Sequence, residues 1–445
     1  MAGVRRAPGP GAVAAPVKAR VGDLTHEGHG IARVDGKVVF VDGALPGEEV
    51  LLRVTRHRGR FDEGEVVEVL DPSPDRVAPR CPHFGVCGGC TLQHLAPAAQ
   101  VRFKQERLIQ GLTHIGSVEP GEVLPPLTGP VWGYRRKARL SVRYLRGQGR
   151  LLLGFRERRS QRLVELTRCE VLAAPIPGLL DPLRGALGAL AAPHTVPQVE
   201  VGVGDEDAAV VIRHLQPLAA GDLEVLRSLG QETGLQVLAQ PGGPDSVRPV
   251  WPADPRPLAY RLPEWGLALR FQPTDFTQVN AGINAAMVRL ALDLLGAGPG
   301  DRVLDLFCGL GNFSLPLARV SGRVVGVEGD PTLVARAREN AARNGLENVE
   351  FHTADLTRPL AGQPWLTPPP DALLLDPPRS GALEVIQGLG PQLPARIVYV
   401  SCNPETLARD AGQRVRQHGY RLARAGVMDM FPHTAHVESI ALFER

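Results

Sequence analysis

Lysine is scarce in this 445-residue chain: Lys18, Lys37, Lys104 and Lys137 are all there are, so arginine carries nearly all of the positive charge. Cysteine is scarce as well, at six residues: Cys81, Cys87, Cys90, Cys169, Cys308 and Cys402. Six in a chain of this length is no disulfide scaffold, and inside a cell such spacing points to metal binding or catalysis. No apolar run approaches the ~20 residues that cross a membrane. The first sixteen residues, MAGVRRAPGPGAVAAP, hold two arginines but lack the apolar core of a secretion signal. These absences lead us to expect a cytoplasmic, monomeric protein that begins with a disordered tail over 1–16.

What is present is the composition of a soluble globular chain, 43% hydrophobic and 22% charged, long enough for two to four domains. The net charge of +3 hides an uneven distribution. Residues 131–168 hold twelve basic side chains, among them Arg135, Arg136, Lys137 and Arg139, against only Glu157 and Glu165. From residue 271 onward 16 basic residues face 18 acidic ones. Arginine bias alone would not exclude acids from one window, so the patch predicts a polyanionic partner such as RNA.

Residues 17–72 alternate as short strands do, in VVFV, VLLRV and EVVEVL, with Asp35-Gly36 and Asp42-Gly43 as turns. That spacing predicts a small closed barrel of the OB type. Arg53, Arg56, His57, Arg58, Arg60 and Phe61 could contact phosphates and stack one base, or simply decorate a hairpin. Next comes Cys81-Pro-His-Phe-Gly-Val-Cys87-Gly-Gly-Cys90, three thiols within ten residues. With Cys169 as fourth ligand the set suits zinc or an iron–sulfur cluster. A helix is expected over 95–115. Strand-like runs at 138–144, 199–203, 208–212 and 235–238 suggest a mixed α/β domain carrying the basic patch.

From residue 276 the pattern turns regular. Helix 279–295, strand 302–307, a glycine loop, strand 324–327, helix 333–344 and strand 349–352 are followed by strand 372–375, strand 397–400 and helix 406–417. Two last strands are expected over 420–430 and 436–443. Alternation of this kind predicts a doubly wound, mainly parallel α/β sheet. Within it RIVYVSCNPETLARD reads as a buried strand, then Cys402, an Asn403 cap and Pro404 at the first helical position. A cysteine there is a candidate nucleophile whose thiolate the helix N-terminus would favour.

The other strand ends carry acids. DLFCGLGNF places Asp305 and two glycines after the first strand; Asp305 could orient the loop or bind a ligand amine. Ser314 stands where the dinucleotide fingerprint has its third glycine, which counts against NAD. Glu328 suits ribose hydroxyls, Asp355 an adenine amine, and Asp376 opens an acidic-proline turn. Together they indicate S-adenosylmethionine. Amine methyltransferases usually follow Asp/Asn-Pro-Pro with an aromatic residue, and here Arg379 takes that place. Methylation of carbon is therefore expected, and a pyrimidine C5 becomes nucleophilic only after something such as a thiolate adds at C6.

On these residues the chain resembles the uracil-C5 RNA methyltransferases, specifically the branch acting on 23S ribosomal RNA, from about residue 17 to 443. FTQVNAGIN, DLFCGLGNFSLPLA, LLLDPPRSGA, VYVSCNPETLARD and MFPHTAHVES match that family's signatures. The resemblance implies a TRAM barrel over 17–72 and a central iron–sulfur and RNA-binding domain over 73–270, with 93–125 packing on the catalytic domain. It implies an S-adenosylmethionine-dependent methyltransferase domain over 271–445. It makes Cys81, Cys87, Cys90 and Cys169 ligands of a four-iron, four-sulfur cluster. Gln278, Phe307, Asn312, Glu328, Asp355 and Asp376 become cofactor contacts, Cys402 the nucleophile and Glu438 the base that removes the C5 proton. Some ribosomal members carry Ala where Pro378 stands, so the exact target uridine stays open; transfer-RNA uridine methylation is the alternative. A radical enzyme would need three ligands at tighter spacing, and a non-catalytic RNA-binding module would not need Cys402.

Overall fold

The computed structural model describes residues 15–389 and 393–445. The expected tail therefore lies, apart from Ala15 and Pro16, outside the described residues. The chain divides into two compact units. Of the described residues, one holds 15–85 with Cys90–Gln100 and His433–Ala435; the other holds Val86–Gly89, those of Val101–Pro432 and His436–Arg445.

In the first unit β1 (Val17–Leu24), β2 (Gly30–Val34), β3 (Lys37–Asp42), β4 (Glu49–His57) and β5 (Phe61–Asp71) close into a barrel, in the order β1-β2-β3-β5-β4. Alternate residues such as Val21, Val39, Val41, Val50 and Leu52 fill its interior. Closure leaves no open sheet edge. The β4–β5 charges are largely matched across the hairpin: Arg53 with Glu65 at 3.5 Å, His57 with Asp62 at 3.0 Å, Arg58 with Glu63 at 3.0 Å. Arg56 and Arg60 stay exposed, and the Phe61 ring packs 4.8 Å from that of Phe40.

The second unit is built on two sheets. Helix α1 (Pro97–Gly111) runs on into a wider π-type turn, Leu112–Gly116, where a single helix to 115 was expected. After it come the short β6 (Glu122–Val123), then β7 (Lys137–Leu145), β8 (Arg150–Gly154), helix α2 (Leu180–Gly188), β9 (Gln198–Val203), β10 (Ala208–Arg213), helix α3 (Ala220–Thr233), β11 (Gln236–Gln240) and β12 (Arg248–Trp251). These strands, β6 apart, form a six-stranded sheet in the order β12-β11-β10-β9-β7-β8. Part of the expected basic patch is neutralised within this sheet. Arg136 pairs with Asp205 at 2.5 Å, Arg139 reaches Glu200 at 3.4 Å, and Arg150 and Arg168 pair with Glu165 and Glu170. Three of these acids, Glu170, Glu200 and Asp205, lie beyond the window 131–168, and Glu200 of β9 is the one on a strand.

A hairpin of β13 (Leu258–Leu262) and β14 (Leu267–Phe271) leads to the catalytic sheet. Helix α4 (Ala281–Leu295) starts two residues later than expected, because Asn280 caps it by accepting from the Ile283 N–H. Then follow β15 (Arg302–Leu306), α5 (Ser314–Val320), β16 (Arg323–Glu328), α6 (Pro331–Arg343), β17 (Val349–Thr353), β18 (Ala372–Leu375), α7 (Leu383–Leu389), β19 (Arg396–Ser401), α8 (Pro404–His418), β20 (Arg421–Met428) and β21 (Glu438–Glu444). The order is β17-β16-β15-β18-β19-β21-β20-β6, parallel from β17 to β19 and antiparallel from β19 through β21 to β20.

The central strands β15, β16, β18 and β19 are covered on both faces, which is why each reads as a mainly apolar run. Val303, Val324, Leu374, Val398 and Val400 share one core with α4 and α5 residues. Leu304, Val325, Leu373, Ile397 and Tyr399 share the other with Leu407 and Ala411 of α8 and with Leu108 and Leu112 from the α1 region. Each fully buried side chain of this kind contributes roughly 1.5–3 kcal/mol. Among the described residues no helix is long and apolar enough to cross a membrane.

Candidate active site at the carboxyl edge of the second sheet

Because β15, β16, β17, β18 and β19 are parallel, their C-terminal ends share one edge of the sheet. Phe307, Glu328, Asp355, Asp376 and Cys402 all stand at or just beyond those ends. The turn after β15 is sharp, with Phe307 at φ 64° and Gly311 at φ 96°. The left-handed backbone at Gly311 favours glycine, and a Cβ there would meet the Leu315 side chain. Asp305 is fully buried and accepts from the Ser314 hydroxyl. The structure thus favours its loop-orienting role, and gives Ser314 the task of holding it. Burial, opposed by Ser314 and aided by Asp376 and Glu328, pushes the Asp305 carboxyl up to about 8.

Glu328 closes the loop from the next strand. Its Oε2 accepts from Gly309 N at 3.1 Å, and its Oε1 from Gly329 N at 2.6 Å and Asp330 N at 3.0 Å. Asn312 is locked by three bonds: it exchanges a pair with the Asn284 carboxamide, both 2.9 Å, and accepts from the Tyr260 hydroxyl at 2.8 Å. Asn284 lies one helical turn after the Asn280 cap and was quoted in FTQVNAGIN without a role; nothing local marked Tyr260. Asp355 is exposed and lies at its own turn, where Thr357 and Arg358 bind its oxygens and hold its pKa down. Gln278 is half-buried just before α4.

The candidate reacting groups stand near one another through sheet register. In the antiparallel β19–β21 pair Val400 faces Ile440 and Ser401 faces Ser439. Continued one step past its last pair, that register leads to Cys402 and Glu438, and the charge of Glu438 acts on the Cys402 thiol. Asp376 follows Leu375, which is in register with Tyr399. Asn403 caps α8 by accepting from Glu405 N at 3.1 Å, with Pro404 at the first helical position as expected. Its Nδ2 donates to Arg379 O at 3.1 Å, which ties the Cys402 loop to the turn after β18. Asp410 adds a second tie, accepting from the Tyr399 hydroxyl and from Ala382 N, each at 2.8 Å.

One expectation is overturned here. The helix N-terminus does not leave Cys402 as a ready thiolate. Burial first, then the charges of Glu438 and Asp376, push its thiol up to about 11, against the opposing pull of Arg379. Glu438 is itself raised to about 8 by burial and Asp376, opposed by Arg379 and Lys104. Burial and Glu328 raise Asp376 to about 7. Acids gathered in a dry site cannot all ionise.

The four cysteines read as cluster ligands fall two in each compact unit, Cys81 and Cys90 in one, Cys87 and Cys169 in the other. Within its own unit the Cys81 N–H donates to Gln93 Oε1 at 3.1 Å, and Gly89 N–H points at Cys87 Sγ at 3.4 Å. Among the described residues no group of three or more His, Cys, Asp or Glu side chains is arranged to hold a metal ion.

Parallel strands that carry a glycine loop, a row of acids and a cysteine at their carboxyl ends form the α/β fold of S-adenosylmethionine-dependent methyltransferases. The tRNA (Uracil-5-)-methyltransferase family model matches residues 261–360 and 369–445, and the TRAM domain model matches 16–67. The chain belongs to the RNA uracil-C5 methyltransferase family. The 23S rRNA (uracil(1939)-C(5))-methyltransferase RlmD of Alkalilimnicola ehrlichii is 55% identical over 430 residues, 97% of each chain. The protein of the same description from Xanthomonas euvesicatoria pv. vesicatoria is 53% identical, again over 97% of both. Among solved structures, the Pyrococcus abyssi tRNA (uracil-54, C5)-methyltransferase in complex with S-adenosyl-L-homocysteine superposes with a TM-score of 0.73, covering 96% of this chain and 99% of its own. At 24% identity it shares the fold.

Proposed function

We propose that the protein transfers the methyl group of S-adenosylmethionine to C5 of one uridine in 23S ribosomal RNA, the position corresponding to uracil 1939 of its relatives. The observation that carries this reading is the β19–β21 register, which pairs Ser401 with Ser439 and so leads on to Cys402 and Glu438. The target base leaves its stack to reach this edge. The Cys402 thiolate adds to C6, and the electron pair of the C5–C6 double bond forms the bond from C5 to the methyl carbon as the sulfonium–methyl bond breaks. Glu438 takes the C5 proton, the double bond re-forms, and the thiolate leaves. Because burial keeps both groups largely protonated, docking of the base and the sulfonium charge of the donor supply the shift towards the ionised forms. Gln278, Phe307, Asn312, Glu328, Asp355 and Asp376 line the cofactor side, with Asp355 turning from Thr357 and Arg358 towards the adenine. The barrel over 17–72 and the segment 73–270 serve RNA binding, and 271–445 the chemistry. The protein is read as a cytoplasmic monomer. Labelled methyl transfer to unmodified 23S RNA, followed by mapping of the modified base, tests the assignment; label in transfer RNA alone would overturn it.

We also propose a four-iron, four-sulfur cluster on Cys81, Cys87, Cys90 and Cys169. The support is the donor set: four thiols, three of them within ten residues around Gly88-Gly89. Such a cluster would serve fold and RNA docking, and no step above passes through it. Anaerobically purified protein is expected to be brown and to contain iron and sulfide; stoichiometric zinc without iron would overturn this part.

A further inference from the structure

Lys104 is one of four lysines in the chain, and it is 1% exposed. It lies on α1, outside the segments that the methyltransferase family model matches. Its Nζ donates to Asp429 Oδ1 at 2.6 Å and to Phe431 O at 2.9 Å. Burying an ammonium is costly, and a buried pair is weak evidence for stability, so its location matters more than its strength. Asp429 immediately follows Met428, and Met428 is in register with Glu438 across the β20–β21 hairpin. The ion pair therefore sits at the mouth of that hairpin, beside Glu438.

Several charged groups surround Glu438. Asp376 comes from the end of β18, Arg379 from the turn after it, and Cys402 from the loop after β19. Lys104 comes from α1, while Asp429 and His436 belong to the hairpin's own turn, His436 lying 3.2 Å from Arg379 Nη2. Asp376 opposes ionisation of Glu438; Arg379 and Lys104 favour it. Arg379 is exposed, so water and salt screen it and an RNA phosphate can draw it away. Lys104 can do neither.

We propose that Lys104 is a positioning residue of the reaction, a buried cation that biases Glu438 towards the carboxylate form from which it takes the C5 proton. The inference rests on the reading of Glu438 as that base. Lys104→Met removes the charge but leaves Asp429 buried without its partner, so Lys104→Met/Asp429→Asn is the companion variant. The measurement uses the full chain, an rRNA fragment bearing the target and labelled S-adenosylmethionine, and follows decay of the covalent protein–RNA adduct from pH 6 to 9.5. In both variants the midpoint of the decay profile should move up by about one pH unit, slowing decay at pH 7 about tenfold, while the rate of methyl transfer into the adduct changes less. A wild-type midpoint in either folded variant overturns the proposal. Failure of both variants to fold also overturns it, by making the pair structural. Glu438→Gln separates the two claims. If it stalls the adduct while the Lys104 variants decay with the wild-type midpoint, only this inference falls; if its adduct decays normally, the assignment of the base falls.

Discussion

The carboxyl edge of the catalytic sheet has two halves that are held by different forces. Over β15 and β16 the polar groups are tied down by hydrogen bonds: three backbone N–H groups on Glu328, two side chains on Asn312, Ser314 on Asp305. Over β18, β19 and β21 the behaviour of Asp376, Cys402 and Glu438 is set by burial and by each other's charge. The first half is finished before a ligand arrives. In the second, burial and mutual repulsion raise all three groups above their ordinary values, so their charge states depend on one another. A binding surface gains from being pre-organised, whereas reacting groups gain from being poised.

The sharpest way to break this comparison is to remove the reacting pair one member at a time. Cys402→Ala should lower methyl transfer by roughly a thousandfold or more, with no covalent RNA adduct and unchanged cofactor affinity. Glu438→Gln should add and methylate once, then stall as a denaturation-resistant protein–RNA complex, with turnover down roughly 10²–10⁴-fold. Near-normal turnover of Cys402→Ala would sink the covalent mechanism.

Damage to the tied half should look different. Asn284→Ala leaves the Asn312 amide without its reciprocal partner, a loss of about 1–2 kcal/mol. That should raise the KM for S-adenosylmethionine about tenfold and leave the kcat nearly intact. A fall in kcat at constant KM would show that the two halves are not separable in this way.

Stability should respond to pH in the opposite sense to activity. Asp305, Asp376 and Glu438 have folded-state values of about 8, 7 and 8, above their ordinary carboxylate values. Their contribution is therefore fully present near pH 4 and is lost as pH rises through about 7–8, about 1.4 kcal/mol for each unit of displacement in the uncoupled limit. Thermal melts of the ligand-free protein should show Glu438→Gln gaining on wild type at pH 9 by about 1–3 °C and not at pH 5. Equal effects at both pH values would contradict the raised carboxyl.

The smallest effects belong to the basic strand β7. Arg143 is exposed, whereas Arg136 is tied to Asp205. Arg143→Gln is expected to reduce the log–log salt slope of RNA binding by about one unit, and Arg136→Gln by less. Equal slopes for the two variants would mean that internal pairing does not decide which arginines meet phosphate.

Much of this was legible in the chain itself, wherever the cause is local. The β-branched run 397–400, the Asn403 cap and Pro404 dictate a strand-to-helix turn at Cys402 by short-range preference alone, and the structure has that turn. The parallel sheet followed from alternating periods, and the glycine loop from left-handed backbone that favours glycine at Gly311. Other features have causes spread across the chain. Register brings Glu438 towards Cys402 from 36 positions away, and only the β19–β21 ladder sets it. The burial that raises Cys402 to about 11, against a helix end that would lower it, depends on neighbours from three strand ends. Arg414, on a helix that reads as polar, is fully buried over the rings of Tyr399 and Phe443. Lys104 meets Asp429 from 325 residues away. Local sequence decides backbone preference within a few residues; desolvation and Coulomb forces depend on distance in space, and only the packed fold sets that distance.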